Sequence, residues 1–321
     1  MISFMPMNEI QKAILKTLIY YDLFDWPANL SELTSFLIGE KATCGMVEKQ
    51  LQVLAARQKV STQDGFWMLK DRNEIVPERL KKEKEAQRKL KIARKAAAVL
   101  KIIPWIEMVA ISGTLAVGGA KEDDDIDIFI LTQTGRLYLS RLFEFLLLTL
   151  LGKRRRPRTT KVKDKICPNL YLDYEGLLVA ENLCAAHDLV RLKPLWERNG
   201  AYRKLLEANL WYQNYFPNRQ PRHCDPPAGG EAIPSVLPHS NGILKQVQDD
   251  KEQARDDGVG TGLRIFGDWF ESLARKLELR YLQSKKTSER ISAHTLYFHP
   301  QDVYPKILKE FQKRILPLDK K

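Results

Sequence analysis

Cysteine, histidine and long apolar runs are all scarce in this chain of 321 residues. Its four cysteines, Cys44, Cys167, Cys184 and Cys224, are scattered, with no C-x-x-C pair and no histidine at ligand spacing. That argues against a zinc site and implies no disulfide framework. The most apolar stretch, Leu142 to Leu151, is broken by Glu144 and is too short to span a bilayer. No membrane partner is expected. The first residues lack the basic–apolar–small pattern of a secretory leader, so the expected location is cytoplasmic. Acids are short relative to bases: the formal net charge is +12.

What remains is ordinary globular composition, 44% hydrophobic and 29% charged, with length for two or three domains. The positive charge is concentrated. Residues 81–95 hold eight Lys/Arg against two Glu, and residues 153–165 hold eight against one Asp. Such patches attract polyanions. The first reads as a solvated helix face. The second lies close in sequence to a candidate site, where it could equally serve a nucleic-acid or protein partner.

That site is the stretch from Glu107 to Thr132. An apolar run leads into Ser112-Gly113-Thr114, and an acidic cluster, 122–125, leads into Asp125-Ile126-Asp127-Ile128-Phe129-Ile130. On a strand the side chains alternate faces, so Asp125 and Asp127 share one face. Two carboxylates held side by side repel unless a cation sits between them. Hard oxygen donors suit Mg²⁺ or Mn²⁺. Gly113 and Thr114, at a strand-to-helix turn, would let backbone N–H groups approach a phosphate. Together these make a layout for metal-assisted phosphoryl or nucleotidyl transfer.

Gly113-Thr114, ten residues, then Asp125-x-Asp127 with apolar neighbours resembles the signature of the DNA polymerase β-like nucleotidyltransferase superfamily. Thr114 stands where Ser is commoner and keeps a hydroxyl. The resemblance implies an NTP substrate, ATP foremost, with Gly113 and Thr114 on its β/γ phosphates and Asp125 and Asp127 on the metal. It also implies a third carboxylate on a later strand. Asp173, at the end of the alternation 169–173, is the candidate; Glu175 is equally near, and Asn169 in that position would leave the base missing. Arg136 and Arg141 start an apolar helix over 136–151 and either could meet a triphosphate; Arg141 is preferred.

Around this core the periodicity gives helices over 8–22, from Asn29 or Ser31 to Leu37, and over 44–57. Asp64-Gly65 then sits between two short apolar runs as a hairpin signal. Three helices and a hairpin look like a winged helix-turn-helix domain, a fold that commonly binds DNA through its third helix. That helix offers Lys49, Gln50, Gln52 and Arg57 with Glu48, which is not strongly basic. A long charged helix over 77–100 follows. Residues 181–216 read as helical with a pause at Pro194. The Pro/Gly-rich stretch 217–262 has no period and reads as a disordered insertion. Helices over 263–284 and 300–316 close the chain, and His187, His294 and His299 receive no role.

The expected fold class is α+β: a winged-helix domain (1–75), a linker helix (76–100), a polymerase β-like nucleotidyltransferase α/β core (101–180) and a helical domain (181–321). The expected function is metal-dependent transfer of an NMP from an NTP to an acceptor hydroxyl, with release of pyrophosphate. The alternative is a catalytically weak or inactive nucleotidyltransferase-like protein. It would act as a DNA-binding regulator or as a toxin–antitoxin type partner. The acceptor is left open among small molecules, protein side chains and RNA ends, as is the oligomeric state.

Overall fold

The computed structural model describes residues 6–156, 159, 161–219, 260–283, 290–298 and 303–319. The expected insertion at 217–262 falls outside them from 220 to 259, as do His299 and Cys224. The architecture is mixed α+β with two sheets.

Local signals account for the first elements. Helix α1 (Glu9–Asp22) starts at a capping box: the Asn8 side chain accepts from the Gln11 backbone N–H, and the Gln11 side chain accepts from the Asn8 N–H. Helix α2 (Leu30–Ser35) repeats the device with Asn29 and Glu32. Helix α3 (Cys44–Ala56) is capped by Thr43. Strands β2 (Val60–Gln63) and β3 (Phe66–Leu69) form the expected hairpin. A two-residue strand, β1 (Ala28–Asn29), adds to β3 and gives the order β1-β3-β2. Periodicity could not reveal a strand of two residues. Helix α4 (Ile75–Leu100) leaves this sheet, anchored by Arg79. The Arg79 guanidinium is buried between the Trp26 and Phe66 rings and donates to Glu32 at 2.7 Å.

The second sheet has the order β7-β4-β5-β6-β9-β8. Its centre is β4 (Ile106–Ile111), β5 (Ile126–Thr132) and β6 (Ile166–Asp173). Strands β4 and β5 are antiparallel, β5 and β6 parallel. The parallel pair needs a crossover, which helix α6 (Leu137–Leu150) and the basic loop supply. Helix α5 (Gly113–Val117) is a single short turn between β4 and β5.

The chain beyond 181 is less helical than its periodicity suggests. Helices α7 (Leu183–Arg191) and α8 (Ala201–Glu207) flank β7 (Lys193–Glu197), which pairs with β4. Pro194, read as a pause, sits in this edge strand, where a missing N–H is tolerated. After α9 (Gly260–Gln283), β8 (Arg290–Ile291) and β9 (Thr295–Tyr297) extend the other edge through β6. Helix α10 (Tyr304–Asp319) closes the fold.

The two faces of this sheet bury different partners. Val109, Ile111, Ile128, Ile130 and Tyr171 pack with α4, α6 and α9. Met108, Ala110, Phe129, Leu131 and Leu172 share a core with α1, α2, α3, α7, α8 and α10. The N-terminal helices therefore cover one face of the central sheet; polar ties such as Arg191 to the Tyr21 hydroxyl (2.6 Å) and Arg314 to Asp22 (2.6 Å) reinforce that packing. Among the described residues no helix is long and apolar enough to cross a membrane.

Candidate metal and nucleotide site

Strand β5 presents Asp125 and Asp127 at its start, on the face that carries Phe129 and looks toward α1 and α7. Gly113 sits directly across. Its φ is +60°, a left-handed value suited to glycine, and a Cβ there would stand 2.8 Å from Asp127 Oδ2. The backbone of Ser112–Gly113 thus approaches the carboxylate as no other residue would permit. Thr114 follows on the first turn of α5 and lines the same cleft.

The loop that delivers the pair is pinned from α4. Lys89 is fully buried and donates to the carbonyls of Glu122 (2.9 Å) and Asp124 (2.8 Å) and to Asp164 (2.9 Å). Arg88 forks onto both Asp164 oxygens at 2.7 and 2.8 Å. Hydrogen bonds from Arg88 hold the Asp164 carboxyl down at about 2. The solvated-face reading of residues 81–95 is corrected here: two of its cations are structural clamps, because three inward-facing acceptors surround Lys89.

The third side chain beside the pair is a cysteine. Parallel pairing sets Asp127 opposite Cys167. Donor atoms of Asp125, Asp127 and Cys167 all lie within 4.8 Å of one another, the group among the described residues that could hold a metal ion. That donor set fits a divalent cation, two hard oxygens and one sulfur. Arg155, from the second basic run, reaches in: its Nη1 donates to Asp125 Oδ2 at 2.5 Å and lies 3.7 Å from Cys167 Sγ. Burial, then the neighbouring Asp125 charge, push Asp127 up to about 7; Arg155 works against them. Burial and both carboxylates push the Cys167 thiol up as well.

The other two predicted site residues lie elsewhere. Asp173 is six residues beyond Cys167 on β6 and pairs with Thr132, about 20 Å along the strand. Its oxygens accept from the backbone N–H groups of Gly135 (3.3 Å), Glu175 (2.9 Å) and Gly176 (3.1 Å), and His294 Nδ1 lies 2.9 Å away. It fastens a turn. Arg141 is buried on the opposite face of the sheet, ion-paired with Glu278 and stacked 4.4 Å from the Phe298 ring. The structure brings together Gly113, Thr114, Asp125 and Asp127, and neither Asp173 nor Arg141. Asn169 is nearer: a bulge sets Pro168 opposite Ile128 and Leu170 opposite Phe129, so Asn169 is the extra residue, accepting from Ser112 Oγ at 3.2 Å.

Cys167, Arg155 and Lys89 were missed. A signal for the first existed: beginning the strand at Ile166 rather than Asn169 would have placed Cys167 in it. Nothing local marks the other two among many basic residues.

The site opens into a cleft of about 460 Å³. Ser112, Gly113, Thr114 and Asp127 form one end, with Lys82 and Lys121 nearby. The remainder is aromatic and aliphatic, walled by Tyr20, Tyr21, Phe24 and Trp26 from the N-terminal elements and by α7 and α10. Two polar atoms in this wall, Trp26 Nε1 and His187 Nε2, are buried without a hydrogen-bond partner. His187 is packed edge-on against Tyr20, and burial holds its pKa down. No family model and no curated protein matches this chain.

Proposed function

We propose that the chain is a metal-dependent nucleotidyltransferase of the DNA polymerase β-like superfamily, with a winged-helix N-terminal module. One observation carries the reading. Asp127, one of the carboxylate pair at a strand start, faces a left-handed Gly113 and lines a ligand-sized cleft. Asp125 and Asp127 would hold a divalent cation, which would supply charge neutralisation on the entering and leaving oxygens. Gly113 lets the backbone meet the β/γ phosphates of an NTP, ATP being the expected one. Lys82 and Lys121, on the cleft wall, add positive charge there. The acceptor oxygen attacks the α-phosphorus, the bond to the β-phosphate oxygen breaks, pyrophosphate leaves and the hydroxyl proton is released to water.

The cleft favours a small, largely apolar hydroxylated acceptor over a nucleic acid or a protein. Its far end is aromatic and aliphatic. The exposed face of α3, by contrast, balances Lys49 with Glu48, and Gln50 is taken by Asn8 and Gln11. The N-terminal module serves as a wall of the cleft in this reading rather than as a duplex reader.

A second reading, a nucleotide-sensing regulator without turnover, is favoured by the thiol at the position where the resemblance implies a third carboxylate. One experiment separates the two. Purified protein is incubated with each α-labelled NTP, Mg²⁺ or Mn²⁺ and a cell extract split into small-molecule and macromolecular fractions, beside an Asp125→Ala/Asp127→Ala variant. Label moved to the small-molecule fraction by the wild type alone supports the transferase. Nucleotide binding with no transfer in any fraction supports the sensor.

A further inference from the structure

The residue beside the acidic pair is a thiol, and sulfur does not share the metal preferences of oxygen. We propose that Cys167 is a direct ligand of the cation held by Asp125 and Asp127, and that this donor set selects a thiophilic divalent cation of the Zn²⁺ or Co²⁺ kind over Mg²⁺. The proposal rests on the nucleotidyltransferase reading only in expecting a cation at this site.

Geometry supplies the first argument. Asp127 and Cys167 are register partners on adjacent parallel strands, and such partners project to the same side. Tetrahedral Zn²⁺, with a sulfur bond of about 2.3 Å and an oxygen bond of about 2.1 Å, holds those two ligands about 3.6 Å apart. The three donor atoms are already within 4.8 Å. Side-chain rotation of up to about an ångström closes that gap.

A second, independent observation is that a cation already stands over these donors. Arg155 Nη1 touches Asp125 Oδ2 at 2.5 Å and Cys167 Sγ at 3.7 Å. The guanidinium is 41% exposed and comes from the basic loop, so it can withdraw. It occupies the position of positive charge that an inorganic ion would take, and must be displaced when one binds.

Ligand chemistry then decides the ion. Mg²⁺ demands near-ideal octahedral oxygen geometry and dehydrates reluctantly. A thiolate adds little to its binding. For Zn²⁺, Co²⁺ and Cd²⁺ the sulfur is a strong donor, and a coordinated thiol gives up its proton. Replacing a carboxylate by Cys167 in this position therefore weakens the hold on Mg²⁺ and strengthens it on the softer ions.

The test is spectroscopic and independent of turnover. Metal-free full-length protein carrying Cys44→Ser and Cys224→Ser is titrated with Co²⁺ and with Cd²⁺, and the near-ultraviolet thiolate-to-metal charge-transfer band is followed. Cys167→Ser, Cys167→Asp and Arg155→Ala are run in the same background, and Mg²⁺ is tested as a competitor. The band should saturate with one equivalent of ion and be absent in Cys167→Ser. That variant should bind Cd²⁺ on the order of tenfold or more weakly, since losing even an outer partner of a ligand has an effect of that size. Cys167→Asp should compete better with Mg²⁺, and Arg155→Ala should bind every ion more tightly. Ion binding without a charge-transfer band would overturn the thiol ligand and leave the carboxylate site intact. No binding of any divalent ion would remove the site, and with it the transferase reading. The unsubstituted Cys167 spectrum decides alone if a variant fails to fold.

Discussion

Replacing Asp127 by asparagine should stabilise the metal-free protein, and the gain should depend on pH. Asp127 shares a strand face with Asp125, is partly buried, and ionises at about 7 rather than at the ordinary 3.8. Between those values the folded state holds a proton that the unfolded chain has released. Stability therefore falls as pH rises through the window and stays low above it. A shift of three units corresponds to about 4 kcal/mol at most. Residual solvent access at a partly exposed group lowers that, so about 2–4 kcal/mol is expected. The substituted amide carries no charge and escapes the penalty. In urea denaturation with EDTA, Asp127→Asn should exceed wild type by that amount at about pH 8 and by under about 1 kcal/mol near pH 4. Added divalent cation should raise the wild type at pH 8 and leave the variant nearly unmoved. A variant no more stable at pH 8, or a gain equal at both pH values, would refute the claim that burial beside Asp125 makes an ionised Asp127 destabilising.

Gly113→Ala forces a Cβ to 2.8 Å from Asp127 Oδ2 at a positive φ, so it should destabilise by about 1–3 kcal/mol and abolish nucleotide binding by calorimetry. Unchanged binding would remove Gly113 from the site. Lys89→Ala removes one donor from each of three acceptors, and about 3 kcal/mol of stability should go, with a matching fall in cation affinity as the 121–125 loop loosens. Loss of stability with cation affinity intact would show that the clamp does not position the carboxylates. Asp173→Asn should lower the melting temperature while leaving the apparent KM for nucleotide and metal unaltered, because the residue fastens a turn far along β6. A selective loss of turnover in a stable Asp173→Asn protein would return Asp173 to the catalytic machinery.

Much of this molecule was legible because the signals are local. Apolar period alone places the first helix, and Asn29 is one of two cap candidates for the second, the one that the structure shows to be the cap. Asp64-Gly65 marks a hairpin for the same reason. The candidate site was half legible: Gly113-Thr114 and Asp125-x-Asp127 lie on consecutive elements, and alternation alone put both carboxylates on one face. Contributions from distant chain were not. Strands β7 and β9 pair with β4 and β6 from far along the sequence, and five residues with a Pro, or three residues alone, are too few to show a strand period.

By itself the sequence determined where the first three helices begin, which strand residues share a face, and that two carboxylates follow a glycine turn. The tertiary structure alone decided which side chain stands beside the pair. Asp173 and Cys167 stand on the same strand, and only its parallel register against β5 puts one beside Asp127 and the other about 20 Å away. That register is set by the bulge at Asn169 and by burial on both faces of the sheet, where a slip of one residue would turn every side chain over. Such a choice is made by the whole core at once, so no stretch of chain carries it alone.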